Sequence, residues 1–72
     1  MKTNEFLIKF GKEIKKYRID KDISQETLAE KADLHVTFLS RIENGKANIS
    51  LSSVKKLADA LQINIKDLFN FE

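Results

Sequence analysis

Apolar residues fall along the chain in two patterns. Phe6, Phe10, Ile14 and Tyr17 recur at intervals of four, four and three, with Lys9, Lys12, Lys15 and Lys16 displaced to other sides. That spacing marks one face of an α-helix and predicts a first helix from about Glu5 to Asp20, packed on one side and wetted on the other. Beyond it one local arrangement occurs four times: an apolar residue, a candidate N-cap, then a second apolar residue five positions after the first. This is the spacing of a hydrophobic staple. Ile23, Ser24 and Leu28 form the first, Leu34, His35 and Leu39 the second, Ile49, Ser50 and Val54 the third, and Ile63, Asn64 and Leu68 the fourth, with Asp67 at its third helical position.

Each staple predicts a helix start. Helix two is expected over Gln25 to about Lys31, helix three over Val36 to Asn44 with Gly45 as a left-handed stop, helix four over Leu51 to Leu61, and helix five over Ile65 to about Asn70. His35 is the weakest cap by composition, since Ser, Thr, Asp or Asn is favoured there. The expected fold class is all-α, a compact five-helix bundle forming one domain over residues 1–72.

Composition narrows this picture. A chain of 72 residues holds one modest core, burying about 60% of its unfolded surface. With two glycines and no proline, it is neither collagen-like nor Pro/Gly-rich disordered material. The absence of cysteine removes disulfides, thiolate metal sites and thiol catalysis, and points to a reducing compartment. No apolar run is long enough to cross a bilayer and no export signal is evident, so a complete cytoplasmic polypeptide without a membrane partner is expected. Thirteen basic groups against eleven acidic ones leave a net charge of +2, which permits an anionic partner without demanding one.

Helices two and three are short and separated only by Ala32 to His35, a helix-turn-helix arrangement spanning about residues 24–45. The turn carries Asp33 where glycine is common, and Asp tolerates left-handed backbone better than most residues. At about 100° per residue, helix three divides into two opposed arcs. Phe38, Leu39 and Ile42 share one; Thr37, Ser40, Arg41 and Asn44 share the other, a stripe made wholly of hydrogen-bonding side chains. Such a stripe suits the major groove: Arg41 can pair bidentately with guanine, Thr37 and Ser40 can donate or accept, and the Thr37 methyl or Val36 can touch thymine methyls.

The string Ser24 to Lys46, SQETLAEKADLHVTFLSRIENGK, resembles the helix-turn-helix family of phage lambda repressor and Cro, also called the XRE family. The likeness lies in the Ser-Gln opening and Leu-Ala pair of helix two, the Ser-Arg-Ile-Glu-Asn-Gly-Lys exit of helix three, and Arg18 ahead of Gln25. The Asn48-Ile49-Ser50-Leu51 segment and short C-terminal end are similar to small controller proteins of restriction–modification operons. The resemblance implies a sequence-specific regulator of double-stranded DNA. It makes Gln25 a phosphate contact, places Thr37 and Arg41 at the main base-reading positions with Val36 and Ser40 beside them, and makes Asn44, Lys46 and Asn48 backbone clamps. It also implies a structural pair between Arg18 and Glu43. His35, the sole histidine, cannot seed a metal cluster and is expected to cap its helix or touch phosphate. The lysines of helix one are expected to form a solvated face.

One short reading helix touches too few base pairs for genomic specificity, so a homodimer on a palindrome is expected. Its expected seat is the C-terminal end, where Ile65, Phe69 and Phe71 add apolar surface; capping of the small core is the other role open to them. With one histidine, no cysteine and no Gly-rich loop, no catalytic constellation, metal site, cofactor or small-molecule ligand is expected. The remaining alternative is an antitoxin or protein-interaction module that turns the Thr37 to Asn44 face toward a protein.

Overall fold

The computed structural model describes residues 1–72. Four α-helices, α1 (Thr3–Asp20), α2 (Gln25–Lys31), α3 (Val36–Glu43) and α4 (Leu51–Leu61), are followed by a 3₁₀ segment, Ile65–Phe69, and there is no strand. The expected five-helix bundle is thereby corrected to four α-helices. A segment of five residues is too short for an α-type ladder to offset its nucleation cost. The Asp67 N–H instead donates to the Asn64 carbonyl three residues back (3.0 Å), and the Asn64 N–H donates to the Asp67 carboxylate (3.1 Å). This is the tighter 3₁₀ closure. The first helix begins at Thr3 rather than Glu5, and α3 ends at Glu43 with Asn44 as its cap.

The staples hold. Ser24 Oγ accepts from the Thr27 N–H (3.0 Å), His35 Nδ1 from the Thr37 N–H (3.1 Å) and Ser50 Oγ from the Ser53 N–H (3.1 Å). Each satisfies one orphan donor of a first turn. His35 thus serves as a cap despite its composition, through a ring nitrogen in place of an oxygen.

All four helices end in one way. Asp22, Asp33, Gly45 and Gln62 adopt left-handed backbone, with φ of 57°, 55°, 72° and 59°. At each, the left-handed residue donates to the carbonyl three back and its successor to the carbonyl five back. Asp22 reaches Ile19 (2.9 Å) and Ile23 reaches Arg18 (3.3 Å); Asp33 reaches Glu30 (3.2 Å) and Leu34 reaches Ala29 (2.8 Å). Gly45 reaches Ile42 (3.0 Å) and Lys46 reaches Arg41 (2.9 Å); Gln62 reaches Asp59 (3.1 Å) and Ile63 reaches Ala58 (3.0 Å). These paired bonds are the Schellman closure. The successors Ile23, Leu34 and Ile63 are apolar, pack against the core and stand just before the next N-cap. One side chain therefore closes a helix and staples the following one.

The core draws on every element: Phe10 and Ile14 from α1, Leu28 and Ala29 from α2, Leu39 and Ile42 from α3, Val54, Leu57, Ala58 and Leu61 from α4, and Leu68 from the 3₁₀ segment. Burying each large aliphatic side chain stabilises the fold by roughly 1.5–3 kcal/mol. Because α3 packs against both α1 and α2, its apolar edge is fixed from two sides and its polar edge is left outside.

Candidate nucleic-acid interface

The outward edge of α3 carries Thr37, Arg41 and Asn44, all exposed, with Ser40 half-buried between them. Leu39 and Ile42 on the opposite edge are buried. The amphipathic division read from spacing is therefore the division observed. Lys46 and Asn48, in the segment leaving α3, are exposed, as is His35 at its entrance. Val36 is half-buried and packs against the core, so part of its apolar surface is satisfied within the bundle.

Beneath this edge lies a buried polar hub. Glu43 is only 5% exposed and its carboxylate accepts from Arg18 Nε (2.7 Å), Arg18 Nη2 (3.1 Å) and Gln25 Nε2 (3.0 Å). Arg18 Nη1 also donates to the Ile23 carbonyl (2.9 Å). One ion pair thus ties α1, the α1–α2 connection, the start of α2 and the end of α3. Such a pair is bidentate and charge-assisted. Gln25 belongs to this hub through one amide hydrogen and keeps a second hydrogen and its carbonyl oxygen. Arg41 makes a bond of its own, donating through Nη2 to the Lys46 carbonyl (2.8 Å).

Two glycines set how closely α3 seats on α1. A Cβ on Gly11 would stand 2.8 Å from the Glu43 carbonyl oxygen, and one on Gly45 would stand 2.6 Å from Ile8 Cγ1. Gly45 was readable from the sequence as a helix stop. Gly11 was missed, although a glycine inside an otherwise amphipathic helix is a signal of close backbone approach, because it costs about 1 kcal/mol relative to alanine.

At the C-terminal end, Phe69 stacks on Phe6 and Phe10 with ring centroids 5.9 and 5.1 Å away, and Phe71 lies 5.4 Å from Phe6. Both are half-buried, whereas Ile65 is 39% exposed. The two phenylalanines thus cap the core of their own chain. No group of three or more His, Cys, Asp or Glu residues is placed to hold a metal ion, and no helix is long and apolar enough to cross a membrane.

A short helix, a turn pivoting on left-handed Asp33, and a second helix presenting a polar edge from a tightly anchored base define a helix-turn-helix module. A helix-turn-helix family model matches residues 14–68. The control protein C.MunI of a Mycoplasma species is 44% identical over 93% of this chain and 92% of its own length. The crystal structure of the restriction–modification controller protein C.AhdI from Aeromonas hydrophila superposes with a TM-score of 0.87 at 41% identity, covering 88% of this chain and 96% of that one. C.Esp1396I, solved bound to a 19 base pair DNA duplex, superposes with a TM-score of 0.82 at 33% identity, covering 89% and 85% of the two chains. The chain belongs to the helix-turn-helix family, among the controller proteins of restriction–modification systems.

Proposed function

We propose that this chain is a cytoplasmic, non-catalytic transcription regulator that binds a palindromic operator in duplex DNA as a homodimer and controls a restriction–modification operon. The observation that carries this reading is the exposed polar edge of α3, Thr37, Arg41 and Asn44, set on a helix whose other edge buries Leu39 and Ile42 and half-buries Phe38. A solved relative of the same fold sits on DNA, which supports the same use of this edge.

Thr37 and Arg41 read bases, with Ser40 and the exposed part of Val36 beside them. Gln25, His35, Asn44, Lys46 and Asn48 hold the phosphate backbone and set the register. Eight residues of α3 span about 12 Å, which covers a few base pairs. Two copies about 34 Å apart supply the rest of the specificity. Ile65, with the outer edges of Phe69 and Phe71, forms the face between copies.

Selection of bound duplexes from a random pool, followed by titration of the selected site and a scrambled one at several salt concentrations, tests this. A palindromic consensus, a preference of a thousandfold or more over the scrambled duplex and a steep salt dependence are expected. A purified protein that ignores every duplex at low ionic strength overturns the reading.

A further inference from the structure

Arg18 and Arg41 occupy equivalent places in two different helices. Each stands four residues before a left-handed residue, Asp22 and Gly45. Each accepts on its own carbonyl from the N–H of the residue five ahead, Ile23 and Lys46. Each returns a guanidinium hydrogen bond to the carbonyl of that same residue, at 2.9 and 2.8 Å. The side chain thereby closes a ring around the helix exit. At the ends of α2 and α4 the equivalent positions are Ala29 and Ala58, and there large apolar residues, Leu34 and Ile63, seal the closure against the core. At the end of α3 the residue to be sealed is Lys46, which is exposed and has no apolar contact to offer. At the end of α1 the clasp is added to an apolar seal, Ile23; at the end of α3 it acts without one.

Arg18 also shows what a clasped arginine can do. While Nη1 holds the Ile23 carbonyl, Nε and Nη2 grip Glu43 bidentately. Arg41 in the same clasp spends one of its five N–H donors and keeps four for an outside partner. We infer that Arg41 is a positioning residue as well as a base reader: its clasp on the Lys46 carbonyl aims the guanidinium before DNA arrives and fixes the segment that carries Lys46 and Asn48. A long side chain otherwise loses considerable rotamer freedom on binding, and the clasp removes part of that loss in advance. Base reading and backbone gripping are then coupled through one side chain. The DNA half of this inference rests on the function proposed above; the clasp itself does not.

Amide hydrogen exchange on the DNA-free protein tests the clasp through the Lys46 N–H, whose own bond to the Arg41 main-chain carbonyl the clasp braces. In Arg41→Ala the Lys46 amide exchanges about threefold to tenfold faster than in the wild type, the range expected for loss of one exposed hydrogen bond. Arg41→Lys, whose ammonium can still donate to the carbonyl, restores most of the protection. An unchanged Lys46 amide in Arg41→Ala overturns the inference, whatever the DNA does. In DNA titrations, Arg41→Lys keeps its affinity for scrambled duplex within about threefold of wild type yet loses most of the cognate preference, because a point charge cannot make the bidentate pair. Arg41→Ala loses both. Equal weakening of scrambled binding in the two variants overturns the coupling, whereas a wild-type protein that binds no duplex overturns the regulator reading and leaves the exchange result to judge the clasp.

Discussion

Gly11 of α1 lies so close to the main chain of Glu43 in α3 that a methyl group built on it would stand 2.8 Å from the Glu43 carbonyl oxygen. In an unobstructed helix, replacing glycine by alanine gains about 1 kcal/mol. Here the obstacle is backbone, so α1 and α3 must part. Gly11→Ala is expected to lose roughly 1–3 kcal/mol through overpacking, seen in urea unfolding as a lower midpoint. A midpoint at or above that of wild type removes Gly11 from the seating of α3.

Arg18 and Glu43 are tied in a nearly dry pair, with side chains 12% and 1% exposed. Removing one partner strands the other. Arg18→Ala should cost about 3–5 kcal/mol, whereas the double change Arg18→Met with Glu43→Leu should recover much of it. Equal stability of the single and double variants contradicts this.

Gln62 holds a left-handed φ of 59° without the short polar side chain that lets Asp or Asn adopt that backbone readily. Such a conformation costs a non-glycine residue roughly 1–2 kcal/mol. Gln62→Gly is expected to stabilise the protein by about 0.5–1 kcal/mol after the entropic cost of glycine is offset. Thermal melts check the sign; a lower Tm contradicts it.

Lys46 carries a phosphate role in the proposed complex, so Lys46→Ala should weaken cognate and scrambled duplexes alike and reduce the slope of log affinity against log salt by about one. A loss confined to the cognate site would move Lys46 into base reading.

Phe69 is a poor probe of dimerisation because it stacks on Phe6 and Phe10, so a charge there attacks the monomer's own core. Ile65, at 39% exposure, is the cleaner one. Ile65→Asp should keep the helical content and give a monomer in sedimentation, with weaker binding to the full palindrome. An unchanged sedimentation mass places the interface elsewhere.

The four α-helices were legible because their signals are local: the Phe6, Phe10, Ile14, Tyr17 spacing, the serine caps and the repeated staples each act within a few residues. The last element was misjudged for the same reason. Asn64 and Asp67 mark a start equally well for α and 3₁₀ geometry, and only the lack of following helical turns decides between them. The polar edge of α3 was visible as a periodicity. The Arg18–Glu43 pair came from family resemblance, and the structure adds Gln25 to it, a contact between residues 18 positions apart that spacing cannot reveal. The packing of Phe69 on Phe6 and Phe10, and of Phe71 on Phe6, joins residues from opposite ends of the chain, which spacing cannot reveal.

The doubled role of Ile23, Leu34 and Ile63 has a consequence for chain length. An extra residue inserted at any of those three corners would separate the stopper of one helix from the starter of the next and damage both. Between α3 and α4 the two jobs fall to different residues, Lys46 and Ile49, with Ala47 and Asn48 between them. An insertion there would spare both helix ends and act instead on buried Ala47 and on the segment that presents Lys46 and Asn48.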